Sequence, residues 1–511
     1  MRTKRSAVNI GVNVLGQVLN FILAIVSRSV LAKALPGEYL GINGLFYNIL
    51  NILSLAELGI GTAMLYAFYA PVAEDNKREI QTLMNLYRTL YKTVAIAVTV
   101  LGLSLIPFLG YMMKDGKAID NLVLIYLLYL LQSVSSYFFI YKTVILTANQ
   151  QHYIVNLYTY SATVLRYLFQ IGILLLTKNF FFYLLVQVFF TILPNIQASR
   201  KAQKNYPYIG ENQKEMPPPE KKSSIYRNVK AVFIHKIASV LVYNTDNLII
   251  SAFVGLSSVG IYSNYKLIST NLMTLIIQVF TGITASIGNL AAKESEEKIE
   301  EVFFALNLLG FLLYAYCCIS MAVLFRPFIQ WIFGEKFLLE PVAVLLLLAQ
   351  FYLTGMRQAV QQFRNAMGIF RQDKYRPVAE MILNVGISIF LAGKYGMIGI
   401  LAGTVISLLL ISVWLEPLIL FKYGFLKRYK EVTAEFFKKY ILRSFLMVVS
   451  GVGIWWICRK LPYEGFLGVF LQGLLCTFLY GSIMFVCFGR TREWKILQDT
   501  GMQMIKRSVQ K

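Results

Sequence analysis

Charge is scarce in this 511-residue sequence, where Asp, Glu, Lys and Arg together make up 15%. An average soluble domain has roughly 25%. Histidine occurs only twice, and the chain has neither a G-x-x-x-x-G-K-[ST] phosphate loop nor an H-E-x-x-H zinc motif. These shortages argue against an ordinary soluble domain, against an ATPase engine of the phosphate-loop type and against metalloprotease chemistry.

Cysteine is also rare, with five residues in the chain. All five fall in apolar stretches, and none has the C-x-x-C spacing of a metal site. We therefore expect free, buried thiols and no disulfide framework. The five are Cys317, Cys318, Cys458, Cys476 and Cys487.

Long apolar runs dominate what remains, since 57% of the residues are hydrophobic and the mean hydropathy is +0.59. A membrane-spanning helix needs about 20 mostly apolar residues. Fourteen segments meet that requirement, which predicts an all-α, polytopic membrane protein. They are residues 8–32, 42–66, 89–109, 121–146, 155–177, 179–198, 229–254, 258–288, 302–325, 337–357, 377–394, 397–421, 439–458 and 466–488.

Lys and Arg concentrate in alternate loops between these segments, beginning with the N-terminal MRTKR. Basic loops stay on the cytoplasmic side, so we expect both termini to be cytoplasmic in a bacterial cell membrane. The net charge of +23 then reflects topology and contact with anionic lipids. Nucleic-acid binding is not indicated.

Polar breaks divide the chain into predicted regions. Residues 199–228 are rich in Lys and contain three consecutive prolines, and we interpret them as a flexible, basic cytoplasmic linker. The linker separates an N-lobe of six helices (1–198) from a C-lobe of six (229–421). Residues 422–511 would add a second basic linker, two more helices and a cytoplasmic tail.

A faint internal repeat supports two similarly oriented lobes. Shifting the sequence by 219 positions aligns Gly41-Ile42 with Gly260-Ile261, and the loop AEDNKREI with AKESEEKI. Parallel six-helix repeats occur in secondary transporters, which place the substrate between the repeats.

Five charged residues lie deep inside predicted spans, where each charge costs at least ~2.5–3.5 kcal/mol. Arg28, Arg166 and Lys266 are candidate cations of a central anion site. Glu57 and Asp246 are either counterions for those cations or titrating groups that couple transport to protons or sodium. Structural pairing and, for Arg28, simple snorkelling at a helix end are the alternatives.

Other charges lie nearer predicted cytoplasmic ends, where snorkelling to the interface is an easy explanation. They are Lys142, His235, Lys236, Glu380 and Glu416.

Three blocks carry a family resemblance. They are LGINGLFYNILNILSLAELGIGTAMLYAFYAPVAEDNKREIQTLMNLYR (40–88), NTDNLIISAFVGLSSVGIYSNYKLI (244–268) and FRNAMGIFRQDKYRPVAEMILN (363–384). The chain resembles the polysaccharide transporter branch of the multidrug/oligosaccharidyl-lipid/polysaccharide (MOP) exporter superfamily, and it is similar to the lipid II flippases.

The resemblance implies two six-helix lobes around a cationic cavity, alternating access and a substrate that carries an oligosaccharide on undecaprenyl pyrophosphate. The lipid II flippases have a cavity arginine in their first helix, and Arg28 occupies that kind of position. No cofactor is implied, although coupling to Na⁺, H⁺ or the membrane potential is compatible with this interpretation. Polysaccharide polymerases or other assembly proteins are candidate partners.

Three other functions remain open. A multidrug antiporter of the same superfamily should have more acidic than basic groups in its cavity, whereas the deep cations outnumber the deep carboxylates here. A sugar-polymerising membrane enzyme would need a large outward loop, and the predicted outward loops are short. A scaffold for polysaccharide assembly would tolerate neutralisation of all five deep charges.

Overall fold

A computed structural model describes residues 2–57, 59–113, 119–210, 215–281, 283–369, 372–425, 428–461 and 465–499. Within these ranges, the side chains of residues 2–15, 56, 231–232, 234–243, 285–286 and 292–293 are outside the description. The expectations for His235 and Lys236 fall on those side chains.

Eighteen α-helices account for most of the described residues, and no strand occurs among them, which confirms the all-α prediction. The helices are α1 Arg2–Ala34, α2 Gly37–Leu53, α3 Ile60–Ala73, α4 Lys77–Ser104, α5 Leu122–Tyr137, α6 Val144–Ala148, α7 His152–Thr177, α8 Phe180–Asn205, α9 Pro219–Phe253, α10 Leu256–Thr281, α11 Thr284–Lys293, α12 Glu296–Ile332, α13 Pro341–Gly355, α14 Gln358–Ala366, α15 Arg376–Ser407, α16 Val413–Gly424, α17 Tyr429–Cys458 and α18 Gly465–Phe488.

Each of the fourteen predicted spans overlaps at least one of these helices. Ten helical stretches of the described chain are long and apolar enough to cross a membrane, and α3 is a shorter apolar helix. One of the ten, Arg376–Gly424, covers two predicted spans. The chain is thus a multi-pass membrane protein, and the count of fourteen spans stays a prediction.

Two glycines mark breaks that divide apolar stretches. The predicted span 42–66 stops being α-helical at a 3₁₀ turn, Ser54–Glu57, and Gly59 then adopts a φ of 91° before α3 begins. Gly396 has a φ of 53° inside α15, where the chain reverses and Ser388 donates its hydroxyl to the Ile400 carbonyl at 3.1 Å. Glycine suits both positions because positive φ carries no Cβ penalty.

Contacts divide the chain into two compact units, Met1–Gly260 and Ile261–Lys511. In the first unit, α7 packs against α1 and α8, and α2 packs against α9. In the second unit, α12 packs against α13, α17 and α18. The predicted lobes, linker and C-terminal pair rest on loop composition and the repeat, and they stay predictions.

Residues matched by the repeat meet at one helix crossing inside the first unit. The Ser257 hydroxyl donates to Glu38 Oε1 at 2.9 Å across a separation of 219 residues. A Cβ on Gly41 would lie 2.0 Å from the Leu256 carbonyl oxygen, and one on Gly260 would lie 2.8 Å from the Gly37 carbonyl oxygen. The crossing therefore requires glycine at both repeat-matched positions.

The segment that we expected to be a flexible linker is docked where the structure describes it. Helix α8 continues to Asn205 and α9 begins at Pro219. Between them, the Tyr208 carbonyl accepts a hydrogen bond from Gln81 on α4 at 2.9 Å.

Glu215 provides a second attachment of this segment to α4. Its carbonyl accepts from Asn85 Nδ2 at 2.8 Å, and its carboxylate pairs with Arg78 at 2.7 Å. The hydrogen bond to this carboxylate and the opposite charges raise the pKa of the Arg78 guanidinium above its usual value. The charged side chain of Glu215 in the predicted linker thus binds α4, which composition alone does not reveal.

The five cysteines are free thiols, as predicted. Cys318, Cys458 and Cys476 are buried, while Cys317 is half-buried and Cys487 is exposed.

Candidate functional site

Arg28 lies near the C-terminal end of α1 and is half-buried. Its guanidinium interacts electrostatically with the phenols of Tyr183, Tyr129 and Tyr167. Tyr129 and Tyr183 are buried, on α5 and α8 respectively. Three helices therefore bring aromatic hydroxyls to the arginine of α1.

Arg166 on α7 shares this environment. Its guanidinium carbon lies 4.8 Å from the centroid of the Tyr167 ring, and Tyr183 interacts electrostatically with both Arg166 and Arg28. We call Arg28, Arg166, Tyr129, Tyr167 and Tyr183 the Arg28 cluster. The structure thus gathers two of the three predicted cations around one phenol.

Arg166 makes no ion pair with any described residue, and its Nε is buried without a hydrogen-bond partner among them. Its neighbours in the cluster are phenols, which are neutral at physiological pH. The close packing of α1 on α7 depends on Gly16, where a Cβ would lie 2.3 Å from the Tyr160 ring.

Three glutamines next to this cluster form a chain of hydrogen bonds that sequence reasoning missed. Gln187 on α8 donates its Nε2 to Gln132 Oε1 on α5 at 3.0 Å. Gln170 on α7 donates its Nε2 to Gln187 Oε1 and to the Tyr183 carbonyl, both at 3.4 Å. We call Gln132, Gln187 and Gln170 the amide ladder. A glutamine in each of three neighbouring apolar spans was the available signal.

Stability alone does not account for the amide ladder. A side-chain hydrogen bond between membrane helices contributes about 0.6 kcal/mol, whereas a buried polar atom without a partner costs about 1–3 kcal/mol. Gln170 is 1% exposed, and its Oε1 has no hydrogen-bond partner among the described residues.

Glu57 occupies the helix break of the first unit. The Tyr91 hydroxyl donates to Glu57 Oε1 at 2.8 Å, and the Tyr87 hydroxyl donates to Tyr91 at 3.3 Å. Tyr137 also interacts with this carboxylate. Phenols thus hold the predicted carboxylate at the end of a 3₁₀ turn, and its role as counterion or coupling group stays a prediction.

Asp246 and Lys266 lie on successive helices. Asp246 is 2% exposed on α9, and the neighbouring Asn247 donates to the Gly44 carbonyl at 3.4 Å. Lys266 lies on α10 in the second unit, where its ammonium is 5.9 Å from the centroid of the Tyr262 ring. Participation of Lys266 in one site with Arg28 and Arg166 stays a prediction.

The second unit contains a buried ionic network where we had expected snorkelling side chains. Glu416 is 0% and Glu380 is 5% exposed. Glu416 accepts hydrogen bonds from Arg357 Nε and Arg364 Nη1 at 2.6 Å and from Arg376 Nη2 at 3.0 Å. The snorkelling interpretation is therefore wrong for both carboxylates.

Asp373 extends the network on the loop that precedes α15. It accepts from Arg364 Nη1 at 2.5 Å and from Arg376 Nε at 2.6 Å. Arg376 also donates to Glu380 at 3.2 Å and to Ser412 at 2.8 Å. Ser412 ends a π-helical turn, Leu408–Ser412, and donates in turn to Glu380.

We call the six charged residues Arg357, Arg364, Arg376, Asp373, Glu380 and Glu416 the ionic network. It contains three cations and three carboxylates, and every carboxylate has at least two arginine partners. The sequence signal was the cluster of charges within FRNAMGIFRQDKYRPVAEMILN. Such a network satisfies its own charges and leaves none for a ligand.

A smaller charge cluster lies at the C-terminal end of the described chain. Lys439 Nζ is 2.8 Å from Glu493 Oε1, and Arg443 is 3.7 Å from the same oxygen. Burial by itself raises the pKa of Glu493, but the Lys439 hydrogen bond and the two positive charges outweigh that effect, so its pKa lies below the usual value.

Comparison with solved structures places this fold among membrane transporters. The lipid II flippase MurJ, in its inward closed conformation, aligns with 94% of this chain and 99% of its own at 14% identity and a TM-score of 0.66. An inward-facing multidrug resistance MATE family transporter of the MOP superfamily aligns with 82% of this chain and 95% of its own at 16% identity and a TM-score of 0.56.

A variant of the Vibrio cholerae MATE transporter VcmN aligns with 85% of this chain and 98% of its own at 11% identity and a TM-score of 0.55. At the level of sequence, no family model and no curated protein matches the chain. These alignments span nearly the whole of each solved structure. The chain is a helical, multi-pass membrane protein with the fold of the MurJ flippase and the MATE transporters of the MOP superfamily.

Proposed function

We propose that this protein is a flippase for undecaprenyl-pyrophosphate-linked oligosaccharides, which it moves from the inner to the outer leaflet by alternating access for cell-surface polysaccharide assembly. The Arg28 cluster is the observation that supports the proposal most strongly. It holds two guanidinium groups beside one phenol within membrane helices. Arginine offers a planar fork of donors that matches phosphate oxygens, and such charge-assisted bonds replace the water that a pyrophosphate loses on entering the bilayer.

In this proposal Arg28 and Arg166 bind the pyrophosphate, and Lys266 adds a third positive charge. Glu57 and Asp246 balance those charges or bind the coupling ion. The prenyl tail stays in the surrounding lipid, where it is already soluble, so only the polar head needs a protein path. Oligosaccharide hydroxyls then require hydrogen-bonding side chains along the same path.

The membrane potential is large enough to drive such a step without ATP. Moving one elementary charge across 100 mV changes the free energy by about 2.3 kcal/mol. An anionic head group that moves outward follows the inside-negative potential, so its net transfer is favoured in the direction that assembly needs.

Head-group translocation in proteoliposomes tests the proposal. We expect wild type to translocate a labelled undecaprenyl-pyrophosphate oligosaccharide under an imposed potential, and Arg28→Ala to lose that activity while inserting normally. Arg459→Ala is a matched control, because Arg459 lies over the Trp455 ring at the end of α17, a helix that carries no residue of the Arg28 cluster. Full activity in Arg28→Ala, or no translocation by wild type, would contradict the proposal.

Arg28→Lys distinguishes bidentate binding of the phosphate from binding by a single positive charge. Lysine keeps the charge but is a point donor without the planar fork. We expect reduced activity, and full activity would argue against bidentate binding.

A multidrug antiporter is the second candidate, and Glu57 is the observation that favours it. A carboxylate at a helix break inside a membrane span is where transporters bind coupling ions. Efflux of a cationic dye from wild-type vesicles under a proton or sodium gradient, lost in Glu57→Gln and kept in Arg28→Ala, would favour the antiporter over the flippase.

A further inference from the structure

The amide ladder and the Arg28 cluster lie on the same helix faces. Each of three helices carries a residue of the cluster and, three or four positions later, one glutamine of the ladder. The pairs are Tyr129 and Gln132 on α5, Arg166 and Gln170 on α7, and Tyr183 and Gln187 on α8. Residues with that spacing are neighbours on a helix, with Cβ atoms about 5–6 Å apart.

A direct bond also joins the two groups. Gln170 donates its Nε2 to the Tyr183 carbonyl, and the Tyr183 side chain interacts with both arginines. Gln170 is therefore one helical turn from Arg166 and bonded to the residue whose phenol interacts with both arginines.

The ladder also contains a hydrogen-bond acceptor that no described protein group uses. Gln170 Oε1 is buried and has no hydrogen-bond partner among the described residues. The side chains of Gln132 and Gln187 are half-buried, so the ladder runs from a half-buried edge to a buried end. Polar side chains of this kind inside a membrane face the protein interior or an aqueous cavity.

We propose that the amide ladder recognises the hydroxyl groups of the first sugar, the one joined directly to the pyrophosphate. This inference rests on the proposed flippase function. A primary amide offers two donors and an acceptor, which complements a hydroxyl that is both donor and acceptor. The first sugar is bonded to the distal phosphate, so its ring falls within one helical turn of the arginines that bind that phosphate.

The role of the ladder is specificity. A site built to hydrogen-bond a substrate hydroxyl discriminates strongly against an analogue that lacks it, because the buried polar groups of the site are then unpaired. The bare pyrophosphate carrier leaves the ladder empty, while a matching sugar satisfies it. The arginines thus set affinity for every carrier lipid, and the ladder selects among the sugars.

Equilibrium binding to purified full-length protein in nanodiscs tests this division. The probes are undecaprenyl pyrophosphate itself and the same lipid carrying glucose, galactose or N-acetylglucosamine. We expect wild type to bind at least one sugar-bearing lipid roughly tenfold more tightly than the bare lipid. Gln187→Leu should abolish that preference and leave the affinity for the bare lipid unchanged, because leucine removes both the donor and the acceptor at the centre of the ladder.

Gln197→Leu is the matched control, since it makes the same substitution ten positions further along α8 and should keep the preference. Gln132→Met, at the half-buried edge, serves as a second variant in case Gln187→Leu fails to fold, and it should also lose the preference. Arg28→Ala should weaken binding of all four lipids alike.

Three outcomes would overturn the inference: equal affinity of wild type for the bare lipid and every sugar-bearing lipid, an intact preference in both ladder variants, or equal weakening of all four lipids by those variants. Failure of the proposed function gives a different result, in which Arg28→Ala leaves the affinity for the bare lipid unchanged.

Discussion

The Arg28 cluster and the ionic network are two ways of keeping arginine inside a membrane protein. In the ionic network, three arginines meet three carboxylates, and Glu416 accepts hydrogen bonds from all three arginines. In the Arg28 cluster, as defined above, two arginines lie among three phenols and no carboxylate. The charges of the network's own members balance one another, whereas the named members of the cluster are two arginines and three phenols.

The kind of partner named for each arginine, carboxylate or phenol, distinguishes the network from the cluster more clearly than burial does. Both regions contain buried arginine atoms within helices, and desolvation is costly in each. The network offsets that cost by short contacts with carboxylates that fix the α14–α15 connection to α16. Arginines that lie near phenols have the arrangement that we propose binds an anion.

Breaking the network should have the largest effect on stability. Glu416→Gln removes the negative charge shared by three buried arginines, and we expect a loss of about 3–5 kcal/mol in the free energy of unfolding. Thermal unfolding of the purified protein measures it. Glu340→Gln is the control, because Glu340 is exposed before α13. An unchanged melting temperature in Glu416→Gln would show that the network does not hold the second unit together.

A double-mutant cycle measures the interaction energy between one arginine and one carboxylate of the ionic network. Arg364 and Asp373 are both buried and in contact. Each single substitution to leucine removes one partner of the other charge, so we expect the double variant to be less destabilised than the sum of the singles by about 0.5–3 kcal/mol. Strict additivity of the two melting-curve free energies would contradict a direct pair.

Arg166→Leu should impair transport and spare stability, which is the reverse of the effect expected for Glu416→Gln. Since Arg166 forms no ion pair among the described residues, its loss should leave the melting temperature nearly unchanged. Translocation should fall about tenfold or more, because a hydrogen bond to a charged group contributes about 1.5–3 kcal/mol. Arg227→Leu, an exposed position on α9, is the control. A large loss of stability with normal transport would place Arg166 with the structural charges.

The smallest effect should come from Glu493, which follows the last predicted span and pairs with Lys439. The folded protein lowers the pKa of Glu493, so its ionised form contributes stability above the unfolded pKa, and that contribution disappears as the pH falls through the folded pKa. We expect wild type to lose about 1 kcal/mol or less on acidification that Glu493→Gln does not lose. Equal acid sensitivity of melting in the two proteins would contradict the assignment.

Sequence reasoning predicted the helices well because hydrophobic length is a local property. Each predicted span overlaps a helix, and Gly396 separates two spans that were predicted separately. The break at Gly59 lies inside a single predicted span, 42–66, because the length of an apolar run does not show where a helix within it ends. Composition could not show that a segment such as the docked linker finds specific partners.

The candidate site residues were chosen for the same local reason, and their role in a site stays a prediction. Arg28 and Arg166 are recognisable one at a time as charges in apolar runs, and the structure brings them together. Glu416 meets Arg364 across 52 positions, and Gln187 meets Gln132 across 55. Pairings at that distance depend on which helices pack together, so a single sequence gives no indication of them.

Binding of undecaprenyl pyrophosphate to wild type, Arg28→Ala and Glu340→Gln is the most direct test of the difference between the two regions. If the Arg28 cluster binds an anion, Arg28→Ala should weaken binding roughly 10- to 100-fold, the equivalent of losing one hydrogen bond to a charged group, while the folded protein melts normally. Wild-type affinity in Arg28→Ala would contradict the account and reduce Arg28 to a structural residue at the end of its helix.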